Sequence, residues 1–279
     1  MATVYIAPTA QGSADGTSAA NAYAYSSLST AETDAGSGGT IYFTDGAYDF
    51  TTDVTWNADG VTYQSLNPLG AVLTRTGLSS GGSAGELEIA GSGNSIASRV
   101  KNFKIVNMKV WFYQPSGLTG DNTPLLQGCD ISSTTDLLTT TGVLRAQNGT
   151  SGYPVRILDN SIHWKFGSSD PFWASRLNEA TVERNSFYFD LGSISGTIAS
   201  ASSSFTSSKN NIFMSSDDAK MGSDSKAASS TNCCFYQFHS GNTSGGTDNV
   251  FADPQFVDAP NADLRLRPTS PCINAGTAS

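Results

Sequence analysis

The sequence predicts an all-β fold: a single-stranded right-handed parallel β-helix with a short N-terminal capping helix and an irregular C-terminal cap. Two observations predict it. One is a composition suited to short strands and tight turns. The other is a strand motif that returns every 21 to 32 residues. The 279 residues show no linker at which to divide them. An elongated repeat fold escapes the usual limit on domain size, because each coil needs only its neighbours to bury its core. With 38% hydrophobic and 14% charged residues and 28 Gly, the chain is too apolar for disorder. It is also too poor in Leu, Glu and Lys for a helical protein.

The motif is an Asn followed by a β-branched or aromatic run. It reads Asn107-Met-Lys-Val-Trp, Asn160-Ser-Ile-His-Trp, Asn185-Ser-Phe-Tyr-Phe, Asn210-Asn-Ile-Phe-Met and Asn232-Cys-Cys-Phe-Tyr, with Gly128-Cys-Asp-Ile as a variant. The intervals between these anchors are 21, 32, 25, 25 and 22 residues, each the length of one solenoid turn. Stacked coils lie about 4.8 Å apart. Asn at a bend tolerates the left-handed backbone, and its amide can hydrogen-bond to the coil above and below. Val110, Ile131, Ile162, Phe187 and Ile212 are then expected to form one inward row.

The ends read as caps. Ser26–Ala35 follows a Gly/Ser/Ala-rich stretch and predicts a short helix, and Gly39–Gly46 predicts the first strand and its turn. Residues 1–38 are accordingly assigned to the N-terminal cap, 39–245 to the coils, and 246–279 to the final coil and C-terminal cap.

A net charge of −9 repels phosphate backbones and anionic lipid, so neither nucleic acid nor membrane insertion is expected. The start, Met1–Gly12, has neither the basic region nor the apolar core of a secretory signal. The four cysteines match no zinc spacing, and no metal site is expected. Cys233 and Cys234 are adjacent on a strand, so one faces in and the other out. The preferred reading makes all four cysteines small buried hydrophobes. The alternative is a bridge from Cys233 or Cys234 to Cys272.

Val4-Tyr-Ile-Ala-Pro8, Asp15-Gly-Thr17 and Gly39-Thr-Ile-Tyr-Phe43 resemble the opening of pectate-lyase-like right-handed β-helix proteins. Ala252-Asp-Pro-Gln-Phe-Val-Asp258, Ala262–Pro268 and Ser270–Gly276 resemble the tail of the same superfamily. The resemblance spans nearly the whole chain. It implies the fold, and it implies a carbohydrate partner without deciding between lyase, hydrolase, tailspike and adhesin.

A lyase of this superfamily uses an Arg or Lys base and commonly calcium, so calcium is expected only if the chain is a lyase. A hydrolase needs two or three carboxylates at one spot. The catalytic candidates are Lys165, Arg176, Asp190, Asp217, Asp218 and His239; no cofactor is otherwise expected. Trp111, Tyr113, His163, Trp164 and Tyr188 are the candidate sugar-stacking residues, on the reading that they share one side of the solenoid. The competing reading turns several of these rings into the core. Arg145 and Arg176, 31 residues apart, are candidates to stack on a second face.

The expected function is a virion-associated or surface protein of the tailspike, fibre or capsid-decorating type. Such a protein would sit on a virion or outside the cell, contact surface glycan and other virion proteins, and suit a homotrimer. The alternative is a small polysaccharide lyase or glycoside hydrolase.

Overall fold

A computed structural model describes residues 1–90, 97–113, 123–138, 142–147, 155–167, 172–175, 180–192, 199–201, 205–216, 230–237 and 246–276. They form a parallel β-helix with three stacked sheets. One coil shows the plan. Arg99–Lys101 lies in the first sheet, Lys104–Val106 in the second and Met108–Tyr113 in the third, and Leu125–Gln127 then returns to the first. Among the described residues the sheets hold ten, eight and six strands. The stacking register is continuous, as in Leu73, Ile105, Ile131, Ile162, Phe187, Phe213 and Phe235. This is the inward row, and it corrects the expected one at both ends. Val110 belongs to the third sheet, and Ile212 is one residue out of phase, on the outer side of its strand.

The bend between the first and second sheets repeats most regularly. Asn102, Gly128, Asp159, Arg184, Asn210, Asn232 and Asp248 all take left-handed backbone, with φ between 53° and 66°. Phe103, Cys129, Asn160, Asn185, Asn211 and Cys233 follow them, each at most 3% exposed. Three of these build the amide ladder. The Oδ1 of Asn160 accepts the Cys129 N–H at 2.9 Å, that of Asn185 accepts the Asn160 N–H at 2.9 Å, and that of Asn211 accepts the Asn185 N–H at 3.0 Å. Asn107 is not part of the ladder. It takes left-handed backbone at the next corner, between the second and third sheets, where its Oδ1 accepts the Thr134 N–H at 2.7 Å. The coil before Gly128 is thus counted from Asn102.

The core is apolar and rich in rings. Phe187, Phe213 and Phe235 stack along the axis at 4.6 and 5.3 Å, within 5° of parallel. Trp56 stacks on Tyr63 at 4.5 Å.

Both ends add detail to the expectation. Thr3–Ala7 is already a rung of the first sheet, paired in register with Thr40–Phe43, so Gly39–Gly46 does not hold the first strand. The helix runs from Leu28 to Ala35 and buries Ala31 and Ala35. The stretch before it is ordered by Asp15, which accepts hydrogen bonds from the Thr17 N–H and from the hydroxyls of Ser13 and Thr17. At the other end, the antiparallel pair Phe256–Asp258 and Asp263–Leu266 folds back along the outside of the second sheet. Phe256, Ala259 and Leu264 pack there against Tyr188, Ile212 and Met214. A disulfide joins Cys234 to Cys272, correcting the reading of all four cysteines as simple hydrophobes; Cys129 and Cys233 are buried thiols. Among the described residues, no helix is long and apolar enough to cross a membrane.

Candidate functional site

The aromatic residues grouped by sequence separate onto different faces. Trp164 points inward and is fully buried, against the expectation of a sugar platform. Ser161–Lys165 alternates, and Ile162 and Trp164 share its core side. His163 and Tyr188 stand on the outer side of the second sheet and stack at 5.3 Å. They are only 3% and 5% exposed, and the C-terminal pair packs on Tyr188, so neither offers an open platform. Burial holds the His163 imidazole neutral down to about pH 4; the Lys165 charge acts in the same direction and Asp190 against it. Lys165 and Asp190 are register partners on adjacent rungs. Arg176, Asp217, Asp218 and His239 lie outside the described residues.

Trp111 and Tyr113 belong to the third sheet instead. On Met108–Tyr113 the residues Met108, Val110 and Phe112 fill the core, which turns Lys109, Trp111 and Tyr113 outward. The neighbouring strand Gly85–Ala90 alternates in the same way, burying Leu87 and Ile89 and presenting Glu86 and Glu88. Parallel register then sets Glu88, Trp111 and Arg145 side by side on three successive rungs. Ser175 is the register partner of Arg145, and Arg176 lies outside the described residues.

The geometry of this face is compact. The Arg145 guanidinium carbon sits 4.4 Å from the centre of the Trp111 ring. Tyr113 meets Trp111 edge-on at 5.8 Å. Lys109, 8% exposed, pairs with Glu86 at 2.6 Å. Asp53 accepts the Glu86 N–H at 3.0 Å. Burial raises the Glu88 carboxyl above the usual range, and the charges of Glu86 and Asp53 add to the effect. The indole N–H of Trp111 is shielded and makes no hydrogen bond.

Chemically, this is a half-exposed aromatic pair flanked by a cation on one rung and carboxylates on the next. Such a surface meets the apolar face of a sugar ring with indole and its hydroxyl edge with charge-assisted partners. Among the described residues, no group of three or more His, Cys, Asp or Glu is placed to hold a metal ion. The acids of this face were not singled out in the sequence, although Gly85-Glu-Leu-Glu-Ile-Ala90 carries the period-two signal that exposes them.

No family model and no curated protein matches the chain. Among solved structures, the pectate lyase Pel9A aligns over 99% of this chain and 92% of its own, at 14% identity and a TM-score of 0.31.

Proposed function

We propose that this β-helix is a polysaccharide-binding protein that holds glycan on the outer face of its third sheet. Its proposed setting is a virion or cell surface, as a tailspike, fibre or capsid-decorating component. The observation that carries the reading is the Glu88–Trp111–Arg145 row with Tyr113 beside it. The Cys234–Cys272 bridge supports an oxidising, extracellular setting. The test is binding of the purified protein to a panel of neutral and acidic polysaccharides. Trp111→Ala is expected to weaken binding at least tenfold, about 1.4 kcal/mol, while thermal stability holds. Equal binding by the variant would remove the site from this face.

A second reading, a glycoside hydrolase, is favoured by one observation. Glu86 and Glu88 point the same way from one strand, with Cα atoms about 6.6 Å apart. Glu86 is paired with Lys109, and burial raises the Glu88 carboxyl above its ordinary range. Two carboxyl groups in unlike surroundings on one face are the kind of pair that glycoside hydrolysis needs. Release of reducing ends that Glu88→Gln abolishes would establish this reading. Unsaturated, ultraviolet-absorbing products would point to a lyase instead.

A further inference from the structure

The outward row of the third sheet continues toward the N-terminal cap and meets an open cleft there. Val54–Trp56 is the end strand of that sheet; Val54 and Trp56 turn into the core, and Thr55 turns outward and is exposed. Thr55 is the register partner of Glu88, and Glu88 of Trp111. Thr55 therefore lies two rungs from Trp111, about 9.6 Å along the axis. Between this strand and the helix Leu28–Ala35 is a cleft of about 680 Å³, within the size range of small-molecule sites. Leu28, Ser29, Glu32 and Thr33 line it from the helix, and Thr55 and Asn57 line it from the sheet.

The carboxyl in this cleft is anchored from the core. Glu32 Oε1 accepts the Tyr63 hydroxyl at 2.6 Å and the Asn57 N–H at 3.0 Å. The Tyr63 oxygen in turn accepts the Ala58 N–H at 3.2 Å. Tyr63 is fully buried and stacks on Trp56, so the whole arrangement is fixed before any ligand arrives. Among the described residues nothing bonds Glu32 Oε2, which leaves that oxygen to accept a hydroxyl from a ligand. Ser29, Thr33, Thr55 and Asn57 are exposed and add hydroxyl and amide groups, and Leu28 adds an apolar contact. No Lys or Arg lines the cleft, so an acidic sugar would bring its charge to Glu32 with no cation to receive it.

We propose that this cleft is a saccharide subsite, which takes further units of a neutral, hydroxyl-rich glycan laid along the solenoid axis from Trp111 past Glu88 and Thr55. The proposal rests on the reading of the third sheet as a glycan face, and it adds the direction in which the chain runs and the charge it carries. A polyuronate fits less well. Its carboxylates would pass Glu88 on the way and end beside Glu32.

The test titrates the full chain with neutral gluco-, manno- and galacto-oligosaccharides of two to six units, and with galacturonate oligomers of the same lengths. At least one neutral series is expected to gain affinity with length, and the galacturonates to gain none. Thr33→Tyr, which fills the cleft from an exposed helix position, should remove that gain, about tenfold or more, and bring long oligomers down to the affinity of short ones. Asn57→Ala keeps the backbone N–H on Glu32 and should remove about threefold of the gain, which keeps the test decisive if the first variant is unstable. Trp111→Ala should weaken oligomers of every length alike. Neutral binding that depends on Trp111 but shows no length gain, or a gain that both cleft variants leave intact, would overturn the subsite and spare the third-sheet reading. A gain lost in Thr33→Tyr but untouched by Trp111→Ala would overturn the third-sheet reading, and with it the track between the two. Galacturonates binding more tightly than every neutral series, or no binding at all, would also overturn the proposal.

Discussion

His163 packs its ring on Tyr188 with its Nε2 shielded and unbonded, so protonation in the fold has no partner to reward it. The group titrates from an ordinary value of 6.5 in the unfolded chain to about 4 in the fold. Between those values the unfolded chain takes up a proton that the folded chain refuses, which favours unfolding. Stability is therefore fully present above about pH 6.5 and is lost as pH falls toward 4, by on the order of 2–3 kcal/mol. Urea melts at pH 7.0 and at about pH 4.5 measure this difference, and His163→Gln is expected to reduce it by most of that amount. An unchanged difference would place the acid sensitivity elsewhere. The same burial explains why His163 and Tyr188 are poor sugar platforms despite facing outward: outward from a sheet is not outward to solvent when another segment lies across it.

That segment is the C-terminal antiparallel pair, held by two kinds of contact. Its apolar side covers Tyr188, Ile212 and Met214, and Cys272 ties it to the last strand of the second sheet through Cys234. Closing a loop with a sequence separation of 38 contributes about 3–4 kcal/mol on the chain-entropy account. Cys272→Ser is expected to lower stability by roughly that amount, and to speed tryptic cleavage at the exposed Arg265 while the coils resist. An unchanged cleavage rate would mean that the apolar contacts hold the pair unaided. Strand faces were legible in the sequence because alternation has period two, which is how Cys233 and Cys234 read as one inward and one outward. Sheet membership was not legible. Asn107 and Asn210 give the same local signal, a left-handed Asn before an apolar run, yet they turn different corners. Trp111 was therefore grouped with Trp164, although one belongs to the third sheet's surface and the other to the core.

At the scale of the whole molecule, the fold was the most legible property, because stacking repeats one solution many times and tolerates a misplaced anchor. The candidate site was less so, since it depends on which residues meet across rungs, such as Glu88, Trp111 and Arg145 from strands about 23 and 34 residues apart. The same architecture governs how damage spreads. In the three main sheets each strand bonds only to the rungs above and below, so a coil communicates with distant coils only through its neighbours. Asn185 is where that coupling is most concentrated. Its Oδ1 accepts both the backbone and side-chain amides of Asn160, at 2.9 and 3.0 Å. Its Nδ2 donates to the Ile157 and Glu183 carbonyls and to Asn211 Oδ1, at 2.9–3.0 Å. Asn185→Ala leaves these buried groups unsatisfied and is expected to cost about 2–4 kcal/mol, more than a surface hydrogen bond because several orphans arise at once. Hydrogen exchange should show the loss of protection centred on the rungs Arg156–Leu158, Ala180–Glu183 and Phe205–Lys209. The N-terminal rungs Thr3–Ala7 and Thr40–Phe43 should exchange as in the parent protein. A uniform loss over all rungs would show instead that the solenoid opens as one cooperative unit, and that the amide ladder transmits strain from end to end.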